Sequence, residues 1–73
     1  MDDEKVLINT YYIKLGQLLK LASLVSQGSD AKTLIINGYV SVNGETVLER
    51  GKKIYPGDLV EVEEFGSVKV EHE

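Results

Sequence analysis

The sequence predicts an α+β fold: an αα-hairpin packed on a small, mostly antiparallel sheet, with strands added by both termini. Three observations carry this reading. Leu15, Leu18, Leu19, Ala22 and Val25 recur with the period of a helix. After Gly38 the pattern changes to the alternation of strands, in Val40-Ser41-Val42 and again in Val60-Glu61-Val62. Asn43-Gly44 and Pro56-Gly57 then supply turn chemistry where such strands must reverse.

Each element has its own local justification. Residues 5–13 are rich in β-branched and aromatic types, with Val6, Ile8, Thr10 and Tyr12 on one parity, which predicts one extended strand. The first helix follows from Leu15, with Lys14, Gln17 and Lys20 off its apolar stripe and with Leu21 and Leu24 outside it, either covered by another element or forming an exposed patch. Ser26-Gln27-Gly28 ends it. Ser29 is placed to cap a second helix, and Asp30 suits the positive end of that helix. Ala31, Leu34 and Ile35 form its buried face, and Asn37-Gly38 its stop.

An Asn-Gly turn of type I′ needs positive φ at both central residues, so Val40–Val42 should pair with a return strand over Thr46-Val47-Leu48. Glu49-Arg50-Gly51-Lys52-Lys53 reads as a polar loop leading into a strand near Ile54. Proline fixes φ and glycine takes the positive-φ site in a type II turn at Pro56-Gly57. Val60 and Val62 form the next strand, Phe65-Gly66-Ser67 turns the chain, and Val68 and Val70 form the last.

With 73 residues the chain makes a single domain, 1–73, and a small one. Such a core supplies stability on the order of 3–5 kcal/mol. There is no cysteine, so neither disulfides nor thiolate metal sites are available. One histidine and scattered carboxylates assemble neither a zinc site nor a nucleophile–base pair, and no glycine-rich phosphate loop is present. The expectation is a protein that is not an enzyme and needs no metal or cofactor. The acidic start, Met1-Asp2-Asp3-Glu4, is unlike a signal peptide, and no apolar run approaches the roughly 20 residues of a membrane span. A cytoplasmic protein with no membrane partner and no small-molecule substrate is expected. His72, next to the acidic end, is expected to be unstructured.

The net charge is −4, yet its distribution is uneven. Residues 14–60 carry six basic and four acidic side chains, while residues 61–73 carry five acidic side chains and one basic. The middle is mildly basic and the acidity sits at the ends.

The segment 13–62 resembles the RNA-binding domain named after ribosomal protein S-four. The resemblance lies in Lys14-Leu15, Ser29-Asp30-Ala31-Lys32-Thr33-Leu34-Ile35, Gly38-Tyr39-Val40-Ser41-Val42-Asn43-Gly44 and Pro56-Gly57-Asp58, taken in this order and spacing. With 1–12 and 63–73 as terminal strand extensions, the chain is similar to the small stand-alone bacterial members of the YaaA/YbcJ-like group. The resemblance implies the alpha-L RNA-binding motif and a non-catalytic module for structured ribosomal RNA or tRNA, with ribosome-associated proteins as further partners. Two positions depart from the family pattern. Gly28 stands where many members carry arginine, and Gly16 where an acidic residue often follows the opening basic-Leu pair.

Candidate RNA-binding residues are Lys14, Lys20, Ser29, Lys32, Arg50, Lys52 and Lys53. Basic side chains around a two-helix unit can follow a folded RNA backbone, and a solvated helix face is the plain alternative for Lys14, Lys20 and Lys32. Arg50, Lys52 and Lys53 make either a second phosphate clamp or an ordinary polar connection. Ser29 reads first as a cap. Tyr39 and Tyr55 offer base stacking, against edge or core packing as the commoner use of tyrosine. Asn43 and Gly44 are assigned to turn geometry alone.

Two other functions compete with RNA binding. A protein–protein adaptor that kept the fold but lost RNA affinity would suit the net charge of −4 and Gly28. A β-grasp sulfur carrier can also read Val-Asn-Gly-Glu followed by Gly-Asp, but such carriers end in Gly-Gly, whereas this sequence closes on Glu71-His72-Glu73.

Overall fold

The computed structural model describes residues 4–22, 28–63 and 65–73. Their order is β1 (Glu4–Ile8), β2 (Ile13–Lys14), α1 (Leu15–Leu21), α2 (Gly28–Ile36), β3 (Val40–Val42), β4 (Glu45–Thr46), β5 (Lys53–Ile54), β6 (Leu59–Val62) and β7 (Gly66–His72). Two helices and a mixed sheet make the architecture α+β. The main sheet has five strands in the order β1-β7-β6-β3-β4, and β2 and β5 form a separate two-stranded pair. Among the described residues, β1 and β7 run parallel and the other pairs are antiparallel. Among the described residues, no helix is long and apolar enough to cross a membrane.

Alternation decides which face of the sheet is buried. Val40 lies opposite Val62 and Val42 opposite Val60, and Val60 in turn lies opposite Val68. These valines line one face in register and are almost wholly buried. Val70 extends the row to Val6 on β1. Leu15, Leu18 and Leu19 of α1, Ala22 beyond it, and Ala31 and Ile35 of α2 close over this face, joined by Ile54. No polar side chain is buried among the described residues.

The turns follow their backbone chemistry. Asn43 has φ 53° and Gly44 has φ 85°, the two positive values a type I′ turn requires. Gly57, at φ 98°, takes the positive-φ site of the Tyr55–Asp58 turn, which the Asp58 N–H closes on the Tyr55 carbonyl at 3.0 Å. At the end of α2 the Tyr39 N–H donates to the Leu34 carbonyl and the Gly38 N–H to the Ile35 carbonyl, each at 3.1 Å. That bond pair, around a left-handed glycine, is a Schellman stop.

Several expectations are corrected. The single strand over 5–13 is two, β1 and β2, separated by a bend in which Thr10 donates to the Tyr12 carbonyl at 2.8 Å. Thr10 and Tyr12 keep the parity of Val6 and Ile8 but not their burial, because the strand stops where its pairing with β7 stops. Helix α1 ends at Leu21, with Ala22 as its C-cap, so it is shorter than the apolar stripe predicts. The predicted Val25 and Leu24 positions and the Ser26-Gln27 break lie outside the described residues. Of the two outcomes open for Leu21, covered or exposed, the structure shows the second: it is 58% exposed.

Helix α2 starts at Gly28, which puts Ser29 inside its first turn instead of at the cap; the Ser29 side chain lies outside what is described. Leu34 is only partly buried, whereas Ile35 is fully so. The return strand β4 covers Glu45–Thr46; the Val47 N–H still donates to the Val40 carbonyl at 3.0 Å, so the pairing reaches Val47 but not the predicted Leu48. His72 is structured: it closes β7 opposite Ile8, and the Glu73 N–H donates to the Ile8 carbonyl at 2.8 Å.

Candidate nucleic-acid interface

Helix α1 begins directly from β2, and its first turn is tied to the 50–53 segment. Lys14 is its N-cap in extended conformation and offers no side-chain cap. The helix start is satisfied from outside instead. The Leu15 N–H donates to the Lys52 carbonyl at 2.9 Å and the Gly16 N–H to the Arg50 carbonyl at 3.1 Å. These two amide donors are therefore spoken for and are not available to an anion. The same bonds bring Arg50 beside α1, although it lies far from it in sequence.

The result is an open groove of about 340 Å³ lined by Lys14, Gly16, Gln17, Lys20, Arg50 and Gly51. Lys14, Lys20 and Arg50 converge on it, and all three are exposed. Among the described residues none of them makes an ion pair; the pair present is Lys5–Glu71, at 3.7 Å. Lys53 does not line this groove, but it sits directly opposite Lys14 in the adjoining strand pair. Like charges facing across a strand pair cost stability, so this pairing concentrates positive potential without a folding benefit.

An aromatic cluster flanks the groove. The Lys53 Nζ lies 5.0 Å from the centre of the Tyr12 ring, within cation–π range. The Tyr12 and Tyr55 rings are 6.0 Å apart at an angle of 53°. Tyr55 was singled out by the sequence; Tyr12 was not. The Tyr11-Tyr12 pair just before Lys14 was the available signal, but its parity suggested the interior of a strand.

The remaining candidates divide. Lys52 is exposed and, together with Lys53, lines a neighbouring groove beside Asn43 and Tyr55. Lys32 is exposed on α2 and does not line the basic groove. Tyr39 is 46% exposed at the entry to β3, outside the Tyr12–Tyr55 cluster.

Asn43 does more than turn the chain. Its Nδ2 donates to Asp58 Oδ1 at 3.1 Å, and its Oδ1 accepts from the Leu59 N–H at 2.9 Å. Asp58 Oδ2 accepts from the Tyr55 N–H at 2.8 Å. The Asn-Gly and Pro-Gly-Asp turns are thus bolted together, and the backbone of Tyr55 is held by the bolt.

A profile of the S4 domain matches residues 6–71. The chain belongs to the S4-domain family. It is 48% identical over 63 residues to the probable ribosome maturation protein RlbA of Bacillus subtilis (strain 168), a match covering 86% of this chain and 89% of that protein. A tyrosine–tRNA ligase of Burkholderia lata is 42% identical over 48 residues, which is 66% of this chain but 12% of the ligase. The likeness to the first relative therefore spans most of both chains, and that to the ligase only a small part of the ligase.

Within this S4 domain, Gly16 has a structural reason. A Cβ at this position would lie 2.7 Å from Arg50 Cγ and 3.2 Å from Cδ, so the absent side chain is the seat of the arginine stem. Gly16→Ala keeps an ordinary helical backbone and gains up to about 1 kcal/mol of helix propensity, which offsets the crowding. The expected result is a melting temperature within a few degrees of the parent and an Arg50 displaced from the groove. The NMR shift of the Arg50 Nε–H reads this directly; an unmoved resonance would show that the seat is not specific.

Proposed function

We propose that the protein is a non-catalytic RNA-binding module for structured ribosomal RNA or tRNA, acting in the cytoplasm in association with the ribosome. In this reading residues 13–62 form the alpha-L RNA-binding arrangement and residues 1–12 and 63–73 are strand extensions to it. The observation that carries the proposal is the convergence of Lys14, Lys20 and Arg50, without carboxylate partners among the described residues, on one groove beside exposed tyrosines. The relatives' names, ribosome maturation protein and tRNA ligase, favour the same class of partner. Overall acidity does not oppose it, since local positive potential governs contact with phosphate.

Salt dependence tests the proposal. With three to five phosphates neutralised, log K is expected to fall against log salt with a slope of roughly −2 to −4. Lys14→Gln with Arg50→Gln should weaken binding to a folded ribosomal or transfer RNA and flatten that slope by roughly 1.4–1.8, at about 0.7–0.9 per contact. Thermal stability should change little, because exposed charges contribute little to folding. Lys32→Gln, away from the groove, should have the smaller effect. Binding absent at low salt, or indifferent to Lys14 and Arg50, would reject RNA and favour a protein–protein adaptor.

A further inference from the structure

The basic groove has a neighbour that the cations alone do not explain. A second groove, of about 730 Å³, runs along the 9–13 bend and α1, with Tyr11 and Tyr12 in its wall. Lys14 and Gln17 line both grooves, so the two meet along one ridge. Tyr11 is 89% exposed, Tyr12 37% and Tyr55 48%. None of the three belongs to the buried core, so each stays within reach of a ligand in solvent. The Tyr12–Tyr55 pair is nonetheless ordered, by Lys53 at 5.0 Å on one side and by the Asp58 clasp on the Tyr55 backbone on the other.

We propose that the RNA taken by this surface is a helix with an adjoining unpaired nucleotide: backbone phosphates of the helix lie on Lys14, Lys20 and Arg50, and the unpaired base stacks on the Tyr12–Tyr55 pair. The proposal rests on the RNA reading above and names its substrate class. A duplex alone would use the cations and leave the rings idle, since stacked bases in a helix offer no free π-face to a side chain. An unpaired base does, and a positive charge beside the ring meets the phosphate that the base brings with it. Lys53, opposite Lys14 in the strand pair and beside Tyr12, links the two halves of the site.

Two RNA hairpins of identical stem test it, each closed by a non-nucleotide ethylene-glycol linker so that no loop base is present, one blunt and one with two unpaired adenosines at its 3′ end, titrated against the full chain by fluorescence anisotropy at fixed low salt. The parent is expected to bind the extended hairpin more tightly by on the order of tenfold, the worth of a stacked base. Tyr12→Leu with Tyr55→Leu should erase that preference and leave affinity for the blunt hairpin unchanged. Tyr12→Phe with Tyr55→Phe should retain it, because stacking needs the ring and not the hydroxyl. Circular dichroism of each variant establishes that the fold is kept, and the phenylalanine pair serves as the test if the leucine pair unfolds. Equal binding of both hairpins by the parent, or a preference that survives the leucine pair or is lost in the phenylalanine pair, overturns the stacking proposal while leaving the RNA reading intact. Binding to neither hairpin nor to folded ribosomal or transfer RNA overturns both.

Discussion

Leu18→Ala is expected to leave the protein largely unfolded at room temperature. Leu18 has no exposed surface and belongs to the core shared by both helices and the sheet. Truncation of such a leucine removes about 2–5 kcal/mol, through lost transfer energy and the cavity left behind. A domain of this size has only about 3–5 kcal/mol in total, so one residue carries most of the margin. Ile35→Ala on α2, fully buried as well, should behave similarly. Leu34→Ala should be milder, since Leu34 is half-buried and the site can be rewetted. Urea midpoints followed by circular dichroism separate the three. An unchanged midpoint for Leu18→Ala would place the core elsewhere.

Asp58→Ala should have the second-largest effect, a loss of about 1–3 kcal/mol. Its carboxylate holds the Tyr55 N–H and the Asn43 side chain, and hydrogen bonds to a charged acceptor contribute about 1.5–3 kcal/mol when well formed. The clasp lies near solvent, so water replaces part of what is lost. Asn43→Ala removes the shared bond and the Leu59 N–H acceptor, and it also places alanine at a positive φ. The two substitutions therefore should not add. A double-mutant cycle is expected to show a coupling of about 0.5–1 kcal/mol, read from thermal or urea unfolding. Strict additivity would mean that the two turns are independent. Because the same clasp holds Tyr55, Asp58→Ala should also weaken any discrimination that depends on that ring.

Much of the fold was legible because its causes are local. Positive φ at Asn43, Gly44 and Gly57 follows from what those residues tolerate, and the period of Leu15, Leu18 and Leu19 follows from helix geometry. The candidate cations were legible as a set but not as a site. Lys14 and Lys20 sit on one helix by simple spacing, and nothing in the local pattern said that Arg50 would join them while Lys32 would not.

Other features were settled by partners distant in the chain. The strand over 5–13 reads as continuous because Thr10 and Tyr12 keep the alternation; it breaks because Ile8 pairs with β7 and Ile13 with β5, and no single extended segment serves both. His72 looked like part of a loose end and is held by Ile8 for the same reason. Gly16 looked like a departure from a motif and proved to be the seat of the Arg50 stem. Tyr12 looked like strand interior and became the partner of Tyr55 and Lys53. By itself the sequence determined the helices, the turns and the alternation of the valines, all of which depend on neighbours a few residues away. The tertiary structure alone decided where strands stop, which cations meet and which rings stay exposed, because those depend on backbone hydrogen bonds and contacts between segments that the sequence keeps far apart.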